Sequence, residues 1–289
     1  MRAEKIAKIA GSQDGAIFGG YLFHFTTNGI CKVYKAEALC ETEKEAPPLF
    51  EFTLDKHDLI CPHSNAVSFG GVYYENGDEF PLLYSTVYNT YKKEKDRREG
   101  VCCVYRIVRD GNTFTSKLIQ IIKIGFVENT NLWKSFQGKE DVRPYGNFTV
   151  DRESGKLYAF VMRDRAKKTR FFSFNIPKLS AGVFNSEYGV PVLTLCENDI
   201  IDFFDIDYMR YMQGACFHDG KIYSLEGFFA SDEENPPALR IISLQNKEQI
   251  FYKRFSEIGL DVEPEFIEFY NGVCYYIDGH GNAFNLFFE

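Results

Sequence analysis

The chain has 289 residues, of which 45% are hydrophobic and 16% aromatic, so it contains enough apolar material for a large core. It carries 33 Lys and Arg residues against 41 Asp and Glu residues, a formal net charge of −8 at pH 7. This balance leaves no large positive surface to follow phosphates, which argues against nucleic-acid binding and against adhesion to anionic membranes. No apolar run approaches the ~18 residues of a transmembrane helix.

The cysteines and the first residues bear on the compartment. Eight cysteines are spread along the chain without a CxxC pair. Most lie in apolar, strand-like runs, as Cys31 and Cys274 do, which favours reduced thiols used as small core residues. Residues 1–15 contain no apolar stretch of the length that a secretory signal needs. These features predict a cytoplasmic protein, the alternative being an exported protein whose signal peptide is absent from this sequence.

One pattern recurs five times along the chain. A small or polar cluster precedes an alternating apolar run, a turn, and then an apolar and aromatic run, which is typical of paired strands. The polar residues that align in the five units are, in chain order, Asp14, Asn65, Asn147, Gln213 and Glu265. Their spacing is uneven but approaches the ~40 to 50 residues of a propeller blade once insertions are allowed.

Each unit continues with further strand-like runs. A third strand is predicted in every unit, at residues 31–35, 101–108, 170–175, 239–244 and 283–288. A fourth is predicted in four units, at residues 49–54, 118–124, 190–195 and 250–255. The best helical candidate is the charged connection 94–99. The acidic run from Glu197 to Asp207 lacks the glycine and spacing of an EF-hand loop, so a solvated loop is predicted there.

The fifth unit ends after its third strand, while an alternating segment at residues 4–10 precedes the first unit. Pairing this segment antiparallel beside Leu286 would complete the last blade and leave no open edge at the ring closure. The sequence therefore predicts an all-β fold, a five-bladed β-propeller of four-stranded blades closed by the N-terminal strand. We expect it to form a single domain over residues 1–289. A β-sandwich and a jelly roll are the rival all-β folds.

The first strand of a propeller blade lies innermost, so the polar residues that open the units should meet near the central channel. The candidate ligand-binding residues around this axis are Asp14, His63, Asn65, Asn147, Gln213 and Glu265. They predict a site for a small polar molecule or a peptide end at the channel mouth. The alternative is that these side chains only satisfy backbone groups and channel waters at the crowded centre.

Asp14 and Glu265 belong to units that become neighbours when the ring closes. Paired carboxylates can act as acid and base in glycoside hydrolysis, but Asn65 and Asn147 stand where five-bladed glycosidases would place further acids. Converging carboxylate and amide oxygens also suit Ca²⁺. No cofactor is predicted, although a calcium ion in the channel is compatible with these ligands.

Two segments resemble known propellers. Residues Gln213 to Gly227, QGACFHDGKIYSLEG, resemble the inner strands of five-bladed glutaminyl cyclases of the plant and bacterial type, and Glu263-Pro264-Glu265 resembles strand openings in lactonase-like relatives. The resemblance implies roles for Gln213, Glu226 and Glu265. It implies a glutaminyl-cyclase-type enzyme, in which Glu226 or Glu265 would move a proton, as an alternative to a binding protein. A third alternative is an interaction scaffold that uses the insertions at residues 88–100 and 231–237.

Overall fold

The computed structural model describes residues 1–40, 45–87, 100–124, 142–163, 168–229 and 231–288. Over these residues the chain forms five sheets arranged in a ring, a five-bladed β-propeller, as the sequence predicts. Within the described ranges, no helix is long and apolar enough to cross a membrane.

The first strand of the chain, β1, covers Arg2–Lys8, and the first blade follows it directly. Blade 1 consists of β2 (Gly15–Phe18), β3 (Tyr21–Phe25), β4 (Ile30–Lys35) and β5 (Phe50–Thr53), paired in that order. Gly19 and Gly20 join β2 to β3 with φ angles of 59° and 83°. A two-residue hairpin turn of this kind needs positive φ at both positions, which glycine adopts without strain.

Blades 2 and 3 contain the longest strands. Blade 2 consists of β6 (Ser64–Phe69), β7 (Leu83–Val87), β8 (Val101–Asp110) and β9 (Thr113–Lys123). Blade 3 begins with β10 (Val142–Asp151), β11 (Lys156–Arg163) and β12 (Lys168–Asn175). The predicted helix at 94–99 and the insertion that contains it fall outside the described residues, apart from Gly100.

The fourth strand of blade 3 was assigned wrongly from the sequence. Residues 190–195 form not the edge of blade 3 but part of a hairpin of β13 (Val183–Asn185) and β14 (Val190–Thr194), in which β14 pairs parallel with β9 of blade 2. The buried amide of Gln120 fixes this excursion by donating to the carbonyls of Lys178 and Ala181, at 2.9 Å each. The true fourth strand is β15 (Asp202–Asp207), so the predicted acidic loop is in part a strand.

The last two blades complete the ring. Blade 4 consists of β16 (Met212–His218), β17 (Lys221–Glu226), β18 (Ala238–Ser243) and β19 (Glu248–Arg254). Blade 5 consists of β20 (Pro264–Tyr270), β21 (Val273–Asp278), β22 (Asn282–Phe287) and the N-terminal β1. In the antiparallel pairing of β1 with β22, Ala3 lies opposite Leu286, which confirms the predicted closure with the strand bounds shifted by two residues.

Apolar side chains fill the spaces between neighbouring blades. Five buried clusters lie between successive blade pairs, including the closing pair of blades 5 and 1. Each inner strand contributes an apolar residue to one of these clusters, namely Ile17, Val67, Phe148, Cys216 and Ile267. Among the cysteines whose side chains the structure describes, none forms a disulfide.

In the described residues, helical structure is confined to single turns. They are an α-helical turn at His57–Ile60 and 3-10 turns at Ala36–Cys40, Glu197–Asp199 and Phe255–Ile258. The innermost strands β2, β6, β10, β16 and β20 pack around the axis of the ring. We call the end of the axis at which these strands begin the upper mouth, and the end at which they finish the lower mouth.

Candidate functional site

Two amide side chains from neighbouring blades, Asn65 and Asn147, meet at the axis below the upper mouth and bond to the backbone of a third blade. Asn65 Nδ2 donates to Asn147 Oδ1 at 3.0 Å and also to the carbonyl of Met212. Asn147 Nδ2 donates to the carbonyl of Gln213 at 2.5 Å. These bonds link the inner strands of blades 2, 3 and 4 directly, so the sequence alignment of the five units does bring these positions together.

Local irregularities in the inner strands aim these side chains at the axis. The pairing register shifts between Ser64 and Val67 in β6, between Met212 and Ala215 in β16, and just before Phe266 in β20. A bulge of this kind places two residues opposite one and re-aims a side chain, which a regular strand would direct between blades.

Asp14 and Glu265 complete the layer from blades 1 and 5. The backbone N–H of Val67 donates to Asp14 Oδ2 at 2.8 Å. Burial strongly raises the pKa of Asp14, although the nearby amides of Gly15, Val67 and Ala215 act in the opposite direction. The carboxyl group of Asp14 is therefore held in a desolvated position where its protonated form is favoured.

The polar layer is closed rather than open to solvent. The exposed fractions are 1% for Asp14 and Asn147, 3% for Asn65 and Glu265, and 6% for Gln213. The side chains fill the axis because the amides bond across it.

An open cleft of about 620 Å³ lies above the layer. We call it the upper-mouth cleft, and its principal lining residues are Ser12, Gln13, Phe229, Glu263, Glu265 and His280. It lies between blades 5 and 1, where the segment before β2 meets the segment before β20. Of the residues predicted from the sequence, only Glu265 lines this cleft directly.

Gln13 connects two predicted residues across the ring closure. Its Oε1 atom is hydrogen-bonded to His63 Nε2, and its Nε2 atom donates to Glu265 Oε1 at 3.2 Å. Burial lowers the pKa of His63 to about 4, so the imidazole is neutral at pH 7. Since Gln13 Oε1 can only accept, His63 carries its proton on Nε2.

Glu263 and Glu265 form a pair of carboxyl groups at the floor of the cleft. Gln213 Nε2 donates to Glu263 Oε1 at 2.6 Å and to the carbonyl of Gly227 at 3.3 Å. Burial raises the pKa of Glu263 to about 7. The pKa of Glu265 is raised well above its ordinary value, first by burial and then by the negative charges of Glu263, Asp14 and Asp278. These raised pKa values favour the retention of a proton by the pair near neutral pH.

The Glu226 side chain forms an ion pair with Arg240, away from the cleft. The resemblance to glutaminyl cyclases implies a role for this residue. Its Oε1 atom accepts from Arg240 Nε at 2.9 Å, and the Arg240 guanidinium lies 4.8 Å from the ring centre of Tyr252 and donates to Gln249. Burial raises the pKa of Glu226 to about 7, with Arg240 acting in the opposite direction. These contacts join β17, β18 and β19, and Glu226 does not line the upper-mouth cleft.

Two residues of the cleft were missed from the sequence. Gln13 immediately precedes Asp14, and Glu263 is the first residue of the Glu263-Pro264-Glu265 opening. The sequence shows a polar cluster in both places, but the prediction assigned only Asp14 of the first cluster and Glu265 of the second to the site. Across the described ranges, no group of three or more His, Cys, Asp or Glu side chains is arranged to hold a metal ion.

Gly214 has no room for a side chain within this layer. A Cβ atom there would lie 2.1 Å from the carbonyl oxygen of Glu265 and 2.7 Å from Asp14 Oδ1. We expect Gly214→Ala to lower the free energy of unfolding by about 3 kcal/mol, because the backbone of β20 must move away. The measurement is urea unfolding followed by circular dichroism.

Gly279→Ala is the matched control for this substitution. Its Cβ would lie 3.5 Å from Glu265 Oε1, an ordinary contact, and the backbone φ of Gly279 is not in the left-handed region. Its effect should stay below about 1 kcal/mol. Equal stability of the two variants would show that the inner strands do not approach each other as closely as described.

Comparisons with known proteins assign the chain to no family. No protein-family model matches the chain, and no curated protein matches it. Among solved structures, "Kuenenia stuttgartiensis Hydrazine Synthase" is similar over 91% of this chain and 60% of that chain, with 7% sequence identity and a TM-score of 0.42. The chain thus spans less than two thirds of that structure's length. The comparisons give no support to a relationship with glutaminyl cyclases. The fold itself is a five-bladed β-propeller.

Proposed function

We propose that the chain is a binding protein whose upper-mouth cleft captures a small ligand through a cationic amino group, such as a small organic amine or the amino end of a peptide. One observation carries this proposal. Glu263 and Glu265 lie side by side at the floor of the cleft, and none of its described lining residues is Lys or Arg.

The charge of the cleft favours a cation for a simple electrostatic reason. Two carboxylates at close range in a partly desolvated place cannot both ionise at low cost, so protons are retained. An ammonium group that enters the cleft supplies the missing positive charge and lets the carboxyl groups release a proton. Gln13 and Gln213 each donate one hydrogen bond to this pair, which fixes the two carboxyl groups in place.

An aromatic wall borders the same cleft. The Phe229 side chain is 60% exposed, and its ring centre lies 4.9 Å from that of Phe228. The Phe228 ring in turn packs edge-on against Tyr211, at 5.8 Å between centres. A cation or an adjoining apolar group can therefore lie against a π face while its amino group reaches the carboxyl groups. This arrangement favours an organic amine over a hydrated metal ion.

The proposal is tested by calorimetric titration with n-butylamine, phenethylamine and a dipeptide at pH 8. We expect binding to the wild type and at least a tenfold loss of affinity in Glu263→Gln, which removes one carboxylate and keeps the shape of the side chain. The control is Glu248→Gln, because Glu248 is an exposed residue of β19 outside the cleft.

The affinities of uncharged analogues distinguish recognition of the ammonium group from nonspecific binding. Butanol and N-acetylated dipeptide, which lack the ammonium group, should bind at least tenfold more weakly than the amines. Equal binding of charged and uncharged compounds, or unchanged affinity in Glu263→Gln, would contradict an amine site at the upper mouth.

A further inference from the structure

A second cavity lies at the opposite end of the axis. Its volume is about 660 Å³, and we call it the lower-mouth cavity. Its principal lining residues are Arg152, Phe217, His218, Asp219, Glu268 and Phe269. They come from the ends of β10, β16 and β20, whereas the upper-mouth cleft is formed at the beginnings of the strands. The buried polar layer separates the two sites.

A buried carboxyl group forms the inner part of this cavity. Glu268 is 3% exposed, and its Oε1 atom accepts the backbone N–H of Phe269 at 3.0 Å. Burial raises the pKa of Glu268 to about 7, and the positive charge of Arg152 acts in the opposite direction. The positive charge of Arg152 therefore stabilises the ionised carboxylate of Glu268, but by less than burial destabilises it.

Arg152 is placed at the rim of the same cavity. Its guanidinium carbon lies 5.9 Å from the ring centre of Phe18, so the side chain extends from blade 3 towards blade 1. Within the described part of the chain, no ion pair joins Arg152 to a carboxylate, Glu268 included. A guanidinium and a carboxyl group therefore face one cavity with a gap between them.

Three further acidic residues line this cavity: Glu153, whose side chain is exposed, and Asp151 and Asp219, which are already engaged. The Asp151 carboxylate accepts the backbone N–H groups of Glu153 and Ser154 at 3.0 and 3.1 Å, which fixes the turn after β10. Asp219 pairs with Lys221 at 3.1 Å. Asp151 and Asp219 therefore do not pair with Arg152, and Glu153 lies at the exposed rim rather than in the buried part of the cavity beside Glu268.

Flat aromatic surfaces form the walls of the cavity. The imidazole of His218 stacks on Phe269 with ring centres 3.9 Å apart and 5° between the planes. The Phe217 ring stacks on Tyr158 with 5.9 Å between centres and the same small angle. These stacks hold the rings in fixed orientations and offer apolar contact area between the two charged groups.

We propose that the lower-mouth cavity binds a small zwitterion of the α-amino-acid class with an apolar or aromatic side chain. The ligand's carboxylate pairs with Arg152, its ammonium group pairs with Glu268, and its side chain contacts Phe217 and Phe269. Such a ligand forms one ion pair with Arg152 and one with Glu268, two groups of opposite charge that line the same cavity but do not pair with each other. This inference does not depend on the amine site at the upper mouth.

The test uses three probes of similar shape in a Glu263→Gln background, which weakens amine capture at the upper mouth. They are phenylalanine, 3-phenylpropionate with only the carboxylate, and phenethylamine with only the ammonium group. In calorimetric titration at pH 8, phenylalanine is expected to bind at least tenfold more tightly than either of the others. Equal affinity for the three probes, or no phenylalanine binding at about 10 mM, would overturn the proposal.

Single substitutions then assign the two charged ends. Arg152→Gln and Glu268→Gln should each lower phenylalanine affinity at least tenfold, and Arg152→Lys should restore part of the loss. Glu248→Gln should leave the affinity unchanged. Arg152 is exposed, so its substitution keeps the test valid even where a buried Glu268 variant fails to fold. Unchanged affinity in Arg152→Gln would refute the assigned site.

Discussion

Deletion of residues 1–8 is expected to lower the free energy of unfolding by at least about 4 kcal/mol. This segment supplies β1, whose backbone pairs along the whole of β22 from Arg2 opposite Phe287 to Lys8 opposite Asn282. It also supplies Ala7, which is buried in the cluster between blades 5 and 1. Lost strand pairing at about 1 kcal/mol per hydrogen bond and lost apolar burial add together.

Thermal unfolding of the deleted protein should occur roughly 10 °C lower than that of the intact chain. A synthetic peptide of residues 1–8 added in excess should recover part of this loss, because it can bind only the folded ring. The substitution Glu4→Asp serves as the control, since Glu4 is exposed on the same strand. An unchanged midpoint after the deletion would show that blade 5 does not need β1.

The native protein is expected to become less stable as pH rises from about 5 to 8. Burial raises the pKa of Glu226 and of Glu268 to about 7, and that of Asp14 and Glu265 well above the ordinary range. In the unfolded chain the same groups lose their protons near pH 4 to 4.5. Between these limits the native state binds more protons than the unfolded state. The stabilising contribution of these groups is therefore fully present at low pH and is lost as pH rises.

Buried histidines act in the opposite direction. Burial lowers the pKa of both His24 and His63 to about 4, whereas an unfolded histidine takes up its proton near pH 6.5. Between pH 6.5 and 4 the unfolded state binds more protons through these groups, so their contribution falls as pH falls. The raised carboxyl groups outnumber them, and we expect a net loss of a few kcal/mol between pH 5 and pH 8.

Urea unfolding at pH 5, 6.5 and 8 measures this dependence. Glu265→Gln should flatten the slope, because its neutral amide cannot release a proton, whereas Glu248→Gln at an exposed position should leave the slope unchanged. A free energy of unfolding that rises steadily from pH 5 to pH 8 would mean that the buried carboxyl groups are ionised in the native state.

The ring and its closure were readable from the sequence because both follow from repeated local patterns. Alternation and turn chemistry specify each hairpin, and the unpaired strand at residues 4–10 had one open edge to fill. The edge of blade 3 was different. Residues 190–195 and the strand Asp202–Asp207 both alternate, and the choice between them rests on a tertiary bond, the buried amide of Gln120 to the connection after β12.

The positions of the site were partly predictable and its chemistry was not. Equivalent register brought Asn65, Asn147 and Gln213 to one axis, as the aligned units suggest. Register cannot show that the amides of Asn65 and Asn147 bond to each other across the axis, because the bulges in the inner strands are not visible in an alternating pattern. The accessible groups are Gln13, which precedes Asp14, and Glu263, two residues before Glu265, and both line the upper-mouth cleft.

Proton release on binding is the most direct test of an acidic cleft that accepts an ammonium group. Burial raises the pKa of Glu263 to about 7, so most molecules hold this proton at pH 6 and must release it to pair with an amine. Calorimetric titration with phenethylamine at pH 6, in two buffers of different ionisation enthalpy, gives the number of protons released. Close to one proton per bound amine is expected for the wild type, and markedly fewer for Glu263→Gln. Amine binding to the wild type without proton release would contradict the proposed role of the carboxyl pair.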